Sequence, residues 1–175
     1  MLRGSAIVMK TAAGSLAPGV PGSYVLLAYL PAAACISSVG GSKKWRLEAG
    51  FFAYVGSARG PGGLRARLDR HFRAQRKPHW HLDALLKRAS PCGYLCLCGE
   101  ANECALAAAI AELAELAVAG FGCSDCHCRS HLFRLAGPSG SLKRCLFQLF
   151  LASAVLALSA GAAQAGQWGK PGGQS

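Results

Sequence analysis

A chain of 175 residues with a hydrophobic fraction of 52% is long enough for one ordinary domain with a real core, and two full domains would be a squeeze. A formal charge of +11 with eight acidic residues repels cations and makes polyanions the leading partners, nucleic acid ahead of an anionic membrane surface. Nine cysteines cannot all pair within one chain, and their crowding suits reduced thiols or metal ligation in a reducing intracellular compartment better than a secreted disulfide framework.

Residues 1–21 are rich in Ala, Gly, Ser and Pro and read as a flexible leader with no secretion signal, a transit peptide to an organelle being the alternative. Residues 24–30 are short, apolar and aromatic, as a buried strand would be, and Pro31 stops them. Residues 35–39 and 45–47 can pair across a turn at Gly40-Gly41, and residues 51–56 form the most strand-like run of the chain. A Gly/Pro loop over 57–63 leads to a helix from Leu64 to about Gln75, with Leu64 and Leu68 inward and Arg65, Arg70 and Arg73 on other faces. Residues 81–88 read as a further amphipathic helix, 94–97 as a strand, and the Ala/Leu/Glu-rich run 103–118 as the strongest helix, with Asn102 or Glu100 near its start.

Residues 138–175 differ in kind. Lys143-Arg144 precede residues 145–166, twenty-two residues without a charge, which is a length able to cross a bilayer. Read as a tail anchor, this segment would keep the preceding domain cytoplasmic; read otherwise, it is an appended Ala-rich helix.

Several motifs occur in order: Gly22-Ser23-Tyr24, Tyr54-Val55-Gly56-Ser57-Ala58, Arg67 with Arg70-His71, His79-Trp80-His81-Leu82-Asp83, Glu103-Cys104, and residues 120–133 beginning Gly-Phe-Gly-Cys. Together they resemble the GIY-YIG nuclease superfamily, in the branch designated domain of unknown function 123. The resemblance implies an α+β fold over residues 22–137, with a small central, mostly antiparallel sheet flanked by helices. It also implies a DNA endonuclease, repair-associated and structure-selective, working with one Mg2+ or Mn2+ ion.

Phosphodiester hydrolysis needs a water deprotonated beside phosphorus, positive charge on the nonbridging oxygens and stabilisation of the leaving oxyanion. By the resemblance, Tyr24 and Tyr54 are the strand tyrosines beside the water, and Arg67 is the phosphate clamp, with His71 one helical turn later. Arg65 and Arg70 are further phosphate-binding candidates, and His81 is favoured over His79 as the histidine lining the site. Glu103 is assigned to the metal, with Glu100 as competitor. Trp80 reads as core, with base stacking as the alternative. Two departures stand out: twenty-nine residues separate Tyr24 from Tyr54 where the superfamily has a short hairpin, and Ser23 and Val55 replace its isoleucines.

Cys123, Cys126, Cys128 and His131 have spacings that suit zinc, with Cys104 as an outside ligand; the alternative is a tight turn of small packed cysteines. Cys92, Cys96 and Cys98 read as strand and loop packing. Besides the endonuclease, two functions fit the sequence: a nucleic-acid-binding module of the same fold without catalysis, and a tail-anchored membrane protein whose basic domain meets lipid phosphates through an anchor at 145–166.

Overall fold

The computed structural model describes residues 7–10, 16–38, 41–73, 80–99 and 102–135. His79, Glu100 and the apolar segment 145–166 lie outside them; among the described residues no helix is long and apolar enough to cross a membrane.

Two long strands organise the sheet. β2 (Gly22–Leu30) and β5 (Gly50–Ala58) pair antiparallel in unbroken register from Gly22 opposite Ala58 to Leu30 opposite Gly50. The intervening residues do not disturb this pairing, because they fold back on themselves as a separate two-stranded ribbon of β3 (Ala34–Ser37) and β4 (Lys44–Leu47). The enlarged hairpin therefore leaves the relation between Tyr24 and Tyr54 intact. On the other edge of β2 lies β6 (Ser90–Cys98), followed by β1 (Ile7–Lys10); on the other edge of β5 lie β8 (Leu132–Leu135) and then β7 (Ala114–Ala117). The order is β1-β6-β2-β5-β8-β7, with every pairing antiparallel.

Both faces of β2 and β5 are covered, which explains why β2 reads as a continuous apolar run and not as an alternating one. Alternation along the strand sends Leu26 and Ala28 to one face and Val25 and Leu27 to the other. The first face receives Leu64 and Leu68 of α1 (Gly63–Phe72) and Leu82 and Leu85 of α2 (His81–Leu85), all fully buried. The second receives Leu106, Ala107 and Ile110 of α3 (Glu103–Ala111). Each fully buried leucine contributes about 1.5–3 kcal/mol, so these seams fix α1 and α3 on opposite sides of the tyrosine strands. The α+β class, a central antiparallel sheet flanked by helices, is as the sequence implies.

Three elements differ from the sequence reading. The helix expected over 103–118 ends at Ala111, and residues 114–117 form β7, because Ala114, Leu116 and Ala117 find partners on β8. Pairing along an otherwise open sheet edge here outweighs the local helix propensity of Ala, Leu and Glu. Ile7–Lys10, inside the segment read as a flexible leader, pairs with β6 from Ile7 opposite Leu97 to Lys10 opposite Tyr94. Leu132–Leu135 is a short strand with Leu132, Phe133 and Leu135 buried.

Candidate active site

The register places Tyr24 opposite Gly56 and Tyr54 opposite Leu26, so both tyrosines project from one face of adjacent strands, two positions out of step. Their ring centroids are 6.4 Å apart. Gly56 makes room for this arrangement: a Cβ there would stand 2.6 Å from the Tyr24 hydroxyl. The glycine of the Tyr-Val-Gly motif thus lets the neighbouring tyrosine lie across its strand.

α1 crosses that face. Its His71 is buried, and Nε2 lies 2.8 Å from the Tyr24 hydroxyl. One turn earlier Arg67 reaches the same cavity, its guanidinium 4.4 Å from the centre of the Trp80 ring. Trp80 is not core, as its apolar bulk suggests; it is 39% exposed and stands at the cavity rim. The other two arginines take different paths. Arg70 donates to Oδ2 of the fully buried Asp83 at 2.8 Å, and the same oxygen accepts from the Trp80 amide at 3.0 Å. Arg70 is therefore a strut between α1 and the start of α2. Arg65 pairs with Asp69 along the exposed side of α1. Neither Arg65 nor Arg70 is brought to the cavity, because α1 turns only Arg67 and His71 toward the tyrosines.

From the opposite side α3 begins at Asn102, whose Oδ1 accepts from the amides of Cys104 and Ala105. This cap starts the helix so that Glu103, its first residue, lines the cavity. The loop after β7 closes the remaining wall with Gly122, Ser124, Asp125 and His131. Backbone bonds hold the loop: Gly120 donates to Arg129, His131 to Phe121, and Val55 of β5 to His131. Gly122 has φ of 72°, and a Cβ there would sit 3.0 Å from the Tyr54 ring. His81, first residue of α2, also lines the cavity, its ring 6.0 Å from Phe121 and 5.9 Å edge-on to Trp45 of β4. The β3–β4 ribbon is tied to this loop by Trp45 Nε1 donating to the Ala119 carbonyl at 2.9 Å.

The cavity so formed is about 180 Å3. It gathers Tyr24, Tyr54, Arg67, His71, His81 and Glu103 from five elements, and adds Ser57, Trp80, Ser124 and Asp125, to which sequence reasoning gave no catalytic role. Asp125 and Ser124 were legible only as members of the Cys-rich motif. Burial raises the Tyr54 phenol well above the ordinary tyrosine range; the Glu103 carboxylate pushes the same way and Arg67 opposes it. Tyr24 is likewise raised by burial and by Tyr54, against Arg67. Both shifts favour the neutral phenols, and the imidazole tautomer of His71 decides which of the Tyr24 hydroxyl and Nε2 donates in the bond between them.

Behind the cavity wall, Cys104, Cys126, Cys128 and His131 present ligand atoms all within 4.8 Å of one another. Cys123 stands outside this group, its thiol turned toward the Arg129 carbonyl at 3.9 Å. The fourth member is Cys104, the residue after Glu103, and not Cys123 of the contiguous cluster. Cys96 is buried in β6, and Cys92 and Cys98 are half-buried there, in keeping with packing roles.

No curated protein and no solved structure matches the chain. Residues 23–152, well over half of the sequence, match the family described as Domain of unknown function DUF123, and the chain belongs to that GIY-YIG-like family of unknown function.

Proposed function

We propose that the cavity binds the backbone of DNA and hydrolyses a phosphodiester bond, as a metal-dependent endonuclease of the GIY-YIG type. The observation that carries this reading is the meeting of Tyr24, Tyr54, Arg67, His71 and Glu103, from β2, β5, α1 and α3, at one cavity. The charge of +11 would bring a polyanion to it.

The chemistry follows from the groups. Arg67 offers a planar pair of donors to nonbridging phosphate oxygens, and its stacking on Trp80 limits the freedom lost on binding. Trp80 at the rim also gives a nucleobase a face to stack on. A phenol held protonated is a poor base by itself. Tyr24 avoids this difficulty when His71 is in the tautomer with a bare Nε2: as Tyr24 accepts a proton from the attacking water, its own passes across the 2.8 Å bond to Nε2. The water oxygen forms the new bond to phosphorus, and the bond to the leaving oxygen breaks. His81 and Ser57 stand at the same cavity and can donate to the departing oxyanion.

Glu103 and Asp125 are hard oxygen donors at an open cavity, which suits one Mg2+ or Mn2+ that keeps several waters. Such an ion would supply charge stabilisation to the phosphate and a more acidic water. Glu103 would hold it, with Asp125 as the second carboxylate in the lining. The eight described free cysteines accord with work in a reducing intracellular compartment.

The test is cleavage of labelled branched, nicked and single-stranded DNA with Mg2+ or Mn2+, comparing the parent with Tyr54→Phe, Arg67→Ala and Glu103→Ala. Cleavage by the parent, lowered at least about 100-fold in each variant, is expected. Tight DNA binding with no cleavage by any protein would instead identify a binding module of the same fold. Cleavage unchanged in all three variants would remove the site assignment.

A further inference from the structure

We propose that Cys104, Cys126, Cys128 and His131 bind one structural Zn2+, which clamps the start of α3 to the loop before β8. Three observations converge on it. The four ligand atoms lie within 4.8 Å of one another, although Cys104 is far from the other three in sequence. Tetrahedral zinc with ligand bonds of about 2.3 Å to sulfur and 2.0 Å to nitrogen places S and N about 3.5 Å apart and two sulfurs about 3.8 Å apart. The distance from Cys126 Sγ to His131 Nε2 is 3.5 Å, so this edge of the tetrahedron already exists.

The second observation is that the backbone aims the ligands before any metal binds. Asn102 Oδ1 holds the Cys104 amide at 2.9 Å, and His131 is pinned on both sides, donating to Phe121 and accepting from Val55, each at 2.8 Å. The third is the donor set. Three thiolates and one imidazole are soft ligands that select zinc over Mg2+ or Ca2+, and four protein ligands fill the tetrahedron and leave no open position for catalysis. Cys123 is excluded by its place outside the group.

The consequence reaches the cavity without depending on what the cavity does. Cys104 follows Glu103, and His131 is both a ligand and part of the cavity wall. The ion would thus fix the carboxylate of α3 against the loop that carries Asp125. Glu103 would be placed by the metal beneath it as well as by the helix cap.

The experiment uses the full chain purified under reducing conditions without chelator or added metal. Total zinc of about one equivalent is expected, and replacement by Co2+ should give the intense d–d bands of a tetrahedral site together with thiolate-to-cobalt charge transfer. Cys104→Ser should lose these bands, whereas Cys123→Ser should keep them. X-ray absorption of the parent provides a readout that needs no variant to fold, with three sulfurs and one nitrogen expected. Zinc below about a tenth of an equivalent would overturn the proposal. So would a disulfide among Cys104, Cys126 and Cys128 in the native protein, or bands lost in Cys123→Ser and kept in Cys104→Ser. None of these readouts involves nuclease activity, so the zinc site stands or falls apart from the endonuclease reading.

Discussion

The Tyr24 hydroxyl and Nε2 of His71 lie 2.8 Å apart in a buried hydrogen bond that joins residues 47 positions apart in sequence. It locks the orientation of β2 against α1 at the centre of the cavity. Tyr24→Phe keeps the ring and its packing but leaves the buried imidazole nitrogen without this hydroxyl. A loss of about 1–3 kcal/mol in stability is expected, read by urea unfolding with an unchanged m-value. Unaltered stability would mean that water replaces the hydroxyl at no cost, and that the bond does not organise the site.

Gly56 should be intolerant of even one methyl group. A Cβ at this position meets the Tyr24 ring at 2.6–2.7 Å, and that ring has little room to yield, being 2% exposed and hydrogen-bonded to His71. Gly56→Ala should cost about 1–3 kcal/mol and displace Tyr24. An altered near-ultraviolet circular dichroism spectrum would record the displaced ring. The substitution with the spectrum unchanged and stability retained would show that the two strands part easily at this pair.

Much of this arrangement was legible in the sequence, and the reasons differ by residue. The apolar runs at 24–30 and 51–56 mark the paired strands because each must be buried on both faces, and Arg67 with His71 mark one face of α1 by their spacing. Interactions distant in sequence were not legible. Residues 114–117 have helix-forming side chains and become a strand only because β8 offers an edge, while β8 itself is too short for periodicity to reveal. Spacing to His71 lifts Arg67 above the basic run, but nothing in the sequence removes Arg70 from the phosphate-binding candidates until Asp83, buried beneath α1, claims it. Cys104 reads from the sequence as an outside candidate, but spacing cannot choose between it and Cys123; the fold gathers Cys104 with Cys126, Cys128 and His131 and leaves Cys123 out.

That division between the two arginines yields opposite signatures. Arg70→Ala should lower stability by about 1.5–3 kcal/mol, because the Asp83 carboxylate stays buried and loses a charged donor. Arg67→Ala loses a stacking contact on half-exposed Trp80, about 0.5–1 kcal/mol, and should instead weaken binding to DNA and reduce its salt dependence by about one counterion. Urea unfolding and salt-dependent binding to a labelled duplex, measured on both variants, separate the roles. A fall in salt slope for Arg70→Ala with stability retained would reverse the assignment.

The raised phenols carry a signature at alkaline pH. An unfolded tyrosine loses its proton near pH 10, whereas Tyr54 is held protonated beyond that by burial, with Glu103 acting in the same direction. Between the two values the native state binds one more proton than the unfolded state. Stability associated with Tyr54 is therefore complete below about pH 10 and declines as pH rises toward the folded value, by about 1.4 kcal/mol per pH unit. Tyr24, raised by the same causes, adds a second proton to the slope. Unfolding free energies measured at intervals above pH 10 should fall less steeply in Tyr54→Phe than in the parent, by one proton's worth. Ultraviolet titration of the folded chain should show fewer phenolates than the four tyrosines allow until it unfolds, because burial raises Tyr94 as well as Tyr24 and Tyr54. Equal slopes in parent and variant, or all phenols titrating near pH 10 in the folded protein, would show that both rings meet solvent, and the proton transfer from Tyr24 to His71 would lose its basis.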